Sequence, residues 1–316
     1  MDTALSLDRA VKKYGDTTAV DHLTFAVAGG EMFGLIGPDG AGKTTTIRLL
    51  CGLLHPDGGS VRVLGRDPVR DHRAITGEVG YLSQRFSLYG DLSVDENIAF
   101  FAEIHGLSHY HARRDRLLDM TQLTPFRGRL ADRLSGGMKQ KLALACTLVH
   151  EPRIVLLDEP TTGVDPVSRR EFWRLLSQFL ADGITILMST PYLDEAERCS
   201  RVALLHEGRL LACDEPGRLR AEVSGTWFEV AVTDPREAVL RLRTRGGLAR
   251  AQVFGARVHV RMEDRDPARG LQSVSEAVRR AGLDPAGVRP IVPSLEDVYI
   301  ARLAATRDTG GAGQSP

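Results

Sequence analysis

The chain has 316 residues, 42% hydrophobic and 26% charged, the proportions of an ordinary globular protein with room for two domains. Lys+Arg and Asp+Glu both number 41, so the net charge is zero, which argues against a nucleic-acid binder. No apolar run approaches the roughly 18–20 residues that span a bilayer, and the N-terminal stretch has no apolar run long enough for a signal peptide. Action at a membrane is therefore expected only through a partner. Cys51, Cys146, Cys199 and Cys213 show no C-x-x-C spacing, as expected of reduced thiols in a cytosolic protein.

In chain order, apolar alternation at Leu5–Leu7 and Val20–Val27 predicts early antiparallel strands. Met32–Ile36 is a short apolar run that enters a glycine-rich loop, and Gly42–Leu50 continues with helical character. Ser60–Leu64 and Val79–Leu82 read as further strands, and residues 93 to 150 as mostly helical, with turns near Gly106 and Pro125. Strand–helix alternation returns with Ile154–Leu157, Val167–Leu180, Ile184–Ser189 and Asp194–Cys199, followed by a hairpin across Glu207-Gly208. The pattern predicts an α/β core with a helical insert. Thr226–Thr233 and Val253–Met262 alternate as half-buried strands, with helices near Pro235–Arg245, Leu271–Ala281 and Pro293–Ala304. The expected organisation is one domain over 1–225, with its helical subdomain near 90–150, a small α+β domain over 226–304, and a disordered tail over 305–316.

Two segments carry chemistry on their own residues. Gly37-Pro38-Asp39-Gly40-Ala41-Gly42-Lys43-Thr44-Thr45 fits G-x-x-x-x-G-K-[ST], in which glycines let backbone N–H groups surround phosphate oxygens. The following helix adds its positive end; Lys43 neutralises the β and γ phosphates and Thr44 offers its hydroxyl to Mg²⁺. Ile154-Val155-Leu156-Leu157-Asp158-Glu159 is an apolar strand ending in two carboxylates. There Asp158 is the candidate to orient Mg²⁺, and Glu159 the candidate base for an attacking water.

Over about residues 4–222 the sequence resembles the ATP-binding cassette (ABC) transporter ATPases. Gly37–Thr45 matches their Walker A motif and Ile154–Glu159 their Walker B; Leu134-Ser135-Gly136-Gly137-Met138-Lys139-Gln140 looks like their signature motif. Gln84 resembles the Q-loop glutamine that contacts magnesium and water, Asp165 stands in a D-loop, and Tyr14 is similar to the aromatic that stacks on adenine. The resemblance implies a phosphate-loop (RecA-like) core with an antiparallel β subdomain, and ATP and Mg²⁺ as ligands. It also implies a second ABC ATPase chain whose ATP is completed by Ser135, Gly136 and Gly137, and integral membrane permease subunits. The implied place is peripheral, on the cytoplasmic face of the membrane.

One residue departs from that family. Pro191, in Ser189-Thr190-Pro191-Tyr192, stands where the family has a switch histidine that contacts the γ-phosphate. Proline offers neither a side-chain donor nor a backbone N–H. Either neighbouring groups or water compensate and both sites still turn over, or this chain's own Walker site is weakened and it is the degenerate half of an asymmetric pair. The second is the expectation. In that respect the sequence resembles the N-terminal half of tandem exporter ATPases, and Leu295-Glu296-Asp297-Val298 resembles the closing segment of drug-exporter ATPases. The aromatic stretch Arg85-Phe86-Ser87-Leu88-Tyr89 is expected to face the membrane subunit. A regulatory ATP-binding subunit with negligible catalysis, a soluble ABC ATPase without transport and a different phosphate-loop enzyme are the alternatives.

Overall fold

The computed structural model describes residues 2–84, 88–264 and 266–310. The chain divides into two compact units, Met1–Pro216 and Gly217–Pro316. The expected boundary at 225 falls instead beyond the helix Pro216–Glu222, with which the second unit opens. Among the described residues no helix is long and apolar enough to cross a membrane.

In the first unit, β1 (Thr3–Tyr14) and β2 (Thr17–Ala28) form an antiparallel hairpin. Their inward residues, Leu5, Leu7, Leu23, Phe25 and Val27 among them, are buried at period two. β3 (Met32–Ile36) leaves this layer, and β4 (Gly58–Val63) returns to pair with β1, giving a sheet ordered β2-β1-β4. β5 (Val79–Leu82), β6 (Ile154–Asp158), β7 (Thr185–Thr190), β8 (Arg201–His206) and β9 (Arg209–Asp214) join β3 in a sheet ordered β5-β6-β7-β3-β8-β9. All pairs in it are parallel except β8 with β9. Every residue of β3, β6 and β7 is buried, which is why Met32–Ile36, Ile154–Leu157 and Ile186–Met188 read as apolar runs without alternation.

The register aligns Ile36 with Thr190 and Asp158 with Ser189. The segments leaving β3, β6 and β7 therefore emerge together at one carboxyl edge, where open parallel sheets bind ligands. Helices Val94–Ile104, His111–Thr121 and Gly136–Leu148 fill the expected insert. The first begins with a capping box between Ser93 and Glu96. The acidic segment expected to be helical over Asp194–Cys199 forms only the short helix Leu193–Ala196.

The second unit is an antiparallel sheet of β10 (Thr226–Ala231), β11 (Ala251–Phe254), β12 (Arg257–Met262) and β13 (Val288–Ile291), ordered β11-β12-β10-β13. Phe228, Val230, Val258 and Val260 pack with Val274, Ala277 and Val278 of the helix Pro267–Arg280. Three expectations are corrected here. Val253–Met262 is not one strand but the end of β11, a turn at Gly255 with φ +54°, and β12, paired as a hairpin. β13 is an unforeseen edge strand. The last helix runs Leu295–Gly310, so the tail expected from 305 is helical to Gly310, in a stretch where no proline or glycine interrupts it. Residues 311–316 lie outside the described residues.

Candidate functional site

The glycine loop is shaped by contacts that exclude side chains. A Cβ at Gly37 would lie 2.4 Å from the Leu205 carbonyl oxygen, and one at Gly42, with φ +95°, 2.3 Å from that of Ala19. Gly42 caps the helix Lys43–Leu50 without a side-chain hydrogen bond, so the first-turn N–H groups remain for phosphate oxygens. Lys43 is buried. Its Nζ donates to the Gly37 and Pro38 carbonyls at 2.8 and 3.0 Å and lies 3.1 Å from Glu159 Oε1.

Asp158 and Glu159 end β6 on the same edge. Thr44 Oγ1 donates to Asp158 Oδ1 at 3.1 Å, and Ser189 Oγ donates to the same oxygen at 2.7 Å. Ser189 Oγ also accepts from the Glu159 N–H at 2.9 Å. Glu159 is a non-glycine residue at φ +48°, a strained conformation that such bonds sustain. Its other carboxylate oxygen, Oε2, accepts from Gln84 Nε2 at 3.1 Å and from Thr162 Oγ1 at 3.3 Å. Lys43, Thr44, Gln84, Asp158 and Glu159, chosen from the sequence, thus meet; Ser189 and Thr162 were not foreseen.

A cavity of about 630 Å³ opens over this cluster, walled by the loop from Asp39 to Thr45 together with Gln84, Glu159 and Tyr14. Tyr14 is 46% exposed, so its ring is open to stacking by a planar base. A larger cavity of about 710 Å³ lies at the amino ends of the parallel strands, beside Gly30, Ile154 and Thr185, away from the phosphate loop. Chemistry, not size, picks the first. The Thr44 hydroxyl, the Asp158 carboxylate and the Gln84 amide supply a few hard oxygen donors, a set that fits Mg²⁺ completed by phosphates and water.

Ser135 caps the helix Gly136–Leu148, accepting from the Met138 N–H at 3.3 Å. Asp165 caps Pro166–Ala181, accepting from the Val167 and Ser168 N–H groups, each at 3.0 Å; the Ser168 hydroxyl first, and then these N–H groups, hold its carboxyl below the usual carboxylate range. The two helix starts abut, because a Cβ at Gly137 would lie 2.2 Å from Ser168 Oγ, whereas one at Gly136 would meet open space. None of Ser135, Gly136, Gly137 and Asp165 is among the described residues walling the phosphate-loop cavity. Pro191 follows β7 and is half-buried. Arg85, Phe86 and Ser87 lie outside the described residues; Tyr89 is exposed, with its ring edge-on to Phe100 at 4.5 Å.

All four cysteines are free, and burial pushes the Cys51 and Cys146 thiols up, beyond the range in which they ionise, and Cys199 to about 12. Cys146 and Cys199 are buried, whereas Cys51 and Cys213 are half-buried against the core of the first unit.

Residues 20–162 match the family model described as "ABC transporter". The "Probable multidrug ABC transporter ATP-binding protein YbhF" of Escherichia coli (strain K12) is 41% identical over 99% of this chain, which spans 53% of that protein's length. The "Daunorubicin resistance ATP-binding protein DrrA3" of Streptomyces coeruleorubidus is 36% identical over 95% of each chain. A solved structure titled "Structure of ATP binding subunit of ABC transporter" is 31% identical, with TM-score 0.64, over 70% of this chain and 93% of its own.

Proposed function

Because this chain belongs to the family of ABC transporter ATP-binding proteins, we propose that it binds and hydrolyses ATP to drive an exporter, acting in a pair with a second ABC ATPase chain. The observation that carries this reading is the junction of Lys43 and Thr44 with Glu159 and Asp158 across the carboxyl ends of β3 and β6. The names of the relatives, concerned with multidrug and daunorubicin resistance, support export. The chain works from the cytoplasmic face of the membrane, attached to integral permease subunits, and cargo choice rests with those subunits.

Adenine stacks on Tyr14, and the phosphates lie along the loop from Gly37 to Thr45. Lys43 turns from Glu159 to the β and γ phosphates. Glu159 accepts a proton from water as the water oxygen bonds the γ-phosphorus and the bond to the β–γ bridging oxygen breaks, giving ADP and phosphate. Bound near Thr44, Gln84 and Asp158, Mg²⁺ supplies charge neutralisation at the phosphate oxygens. Ser135, Gly136 and Gly137, remote from this cavity, serve the ATP of the partner chain, while Asp165 stands at the interface between the two.

Pro191 makes the pair unequal. Losing a preorganised donor aimed at transition-state charge costs about a hundred- to a thousandfold in rate, so this chain's own site is slow and its signature segment completes the faster site of the partner. ATPase assays of the protein alone and with a partner ABC chain test the reading. Strong turnover by the protein alone, abolished by Glu159→Gln, overturns the asymmetry while keeping the ATPase. No turnover in either setting, with ATP still bound, leaves a regulatory subunit. Purification from membranes without any permease leaves a soluble ABC ATPase.

A further inference from the structure

A buried carboxylate behind the site has no part in the scheme above. Glu195, on the short helix Leu193–Ala196, is 1% exposed. Its Oε2 accepts from Thr161 Oγ1 at 2.9 Å and from Thr190 Oγ1 at 2.7 Å. Thr161 belongs to the turn that begins at Glu159, whose Thr162 N–H bonds the Glu159 carbonyl at 3.2 Å. Thr190 immediately precedes Pro191, and its Oγ1 also accepts from the Tyr192 N–H at 3.1 Å, closing a loop around the proline.

The other oxygen, Oε1, faces Arg169 Nε at 3.6 Å, and the Arg169 guanidinium lies over the Tyr192 ring at 4.7 Å. Among the described residues neither Glu195 Oε1 nor Arg169 Nε has a hydrogen-bond partner. Arg169 stands on the helix that Asp165 caps. One carboxylate therefore joins three segments: the turn after Glu159, the loop at Pro191 and the helix begun by Asp165. A buried charge is costly unless paired and hydrogen-bonded, and apolar packing would fill this junction at lower cost if filling were its only task.

We propose that Glu195 is a positioning residue for hydrolysis, holding the loop 190–192 against the turn 159–162 so that Glu159 keeps its place although residue 191 offers no donor. The inference rests on the ATPase reading. The Arg169 arm adds a joint with slack. A sub-ångström movement of the helix Pro166–Ala181 turns the 3.6 Å ion pair into a hydrogen bond, so a partner pressing on Asp165 tightens the loop at Pro191.

The test uses the full chain. Glu195→Ala is expected to lower single-turnover hydrolysis about ten- to a hundredfold, the cost of a misplaced catalytic group, with affinity for a fluorescent ATP analogue changed less than about twofold. Glu195→Gln keeps an acceptor for both threonines and falls between. Thr161→Val and Thr190→Val each slow turnover, and Thr161→Ser and Thr190→Ser restore it. Hydrogen–deuterium exchange supplies a readout independent of turnover: Glu195→Ala speeds exchange in 189–196 and 159–164 and leaves 43–50 unchanged. Unchanged exchange overturns the proposal, and so does faster exchange with unaltered turnover or an equal loss of ATP affinity and rate. If Glu159→Gln leaves turnover unchanged, Glu159 is not the base and hydrolysis at this site fails as a reading, while the exchange pattern still decides whether Glu195 fastens the two loops.

Discussion

Lys43 Nζ lies 3.1 Å from Glu159 Oε1, with both side chains buried. On the proposed reading, the cation that meets a phosphate and the base that meets a water are here paired with each other. If that reading holds, phosphate competes with Glu159 for Lys43.

Glu159→Gln separates the two roles. An amide holds the Lys43 ammonium less strongly than a carboxylate, so ATP affinity should rise by about tenfold, equivalent to about 1.4 kcal/mol. Removing the base should cut turnover by about a hundredfold or more. Titration with a fluorescent ATP analogue and measurement of phosphate release check the two effects. Weaker binding by the variant would mean that the pair does not compete with phosphate.

Pro191→His places a ring donor at the end of β7. If the missing donor limits this chain's own site, single-turnover hydrolysis should rise at least about tenfold, with little change in ATP affinity. The gain should vanish in Pro191→His with Glu159→Gln. A rate equal to that of the unaltered protein would place the limit elsewhere.

The centre of the site was legible because β3 and β6 are buried on both faces and end in residues of opposite character. Met32–Ile36 stops at glycines, and Ile154–Leu157 stops at two carboxylates. Ser189 and Glu195 were not legible. A serine at a strand end and a glutamate in an acidic run look solvated in sequence, and only the parallel register of β6 with β7 brings Ser189 beside Asp158. In the second unit, alternation passes through the β11–β12 turn without a break other than Gly255. Pro290 hides β13, since proline suits only a strand at an edge.

Gly136 and Gly137 look equivalent in sequence and differ in space. Gly137→Ala must push Ser168 Oγ from 2.2 Å, so it should lower stability by about 1–3 kcal/mol. Gly136→Ala meets nothing and should fold with unchanged or slightly raised stability, yet impair turnover in the pair by crowding the partner's ATP. Thermal melts separate the variants, and ATPase assays mixing each with an unaltered partner chain assign the defect. Normal paired turnover by Gly136→Ala would remove this segment from the partner's site.

The Leu295–Val298 segment predicts an acid-sensitive second unit. Asp297 is fully buried. Its Oδ2 accepts from the Ser294 N–H and hydroxyl at 2.9 and 2.8 Å, and its Oδ1 from His259 Nδ1 and Gln252 Nε2 at 2.9 and 2.8 Å. Ser294 and Asp297 thereby form a capping box that also ties the last helix to β11 and β12. Burial pushes the Asp297 carboxyl up, but the bonds from His259 and Ser294 outweigh it and hold it below the usual range. A depressed carboxyl contributes stability above its unfolded value of about 3.9 and loses it as pH falls through the lower folded value. Acid below about pH 4 should therefore loosen this unit. Asp297→Asn should cost about 1.5–3 kcal/mol at pH 7, and the cost should shrink in acid below about pH 4 as the native carboxyl takes up its proton. Trp227 is buried in β10 and, in a Trp173→Phe background, is the remaining tryptophan, so its fluorescence reports denaturant unfolding of this unit alone. An equal cost at pH 7 and in acid would show that Asp297 acts by shape and not by charge.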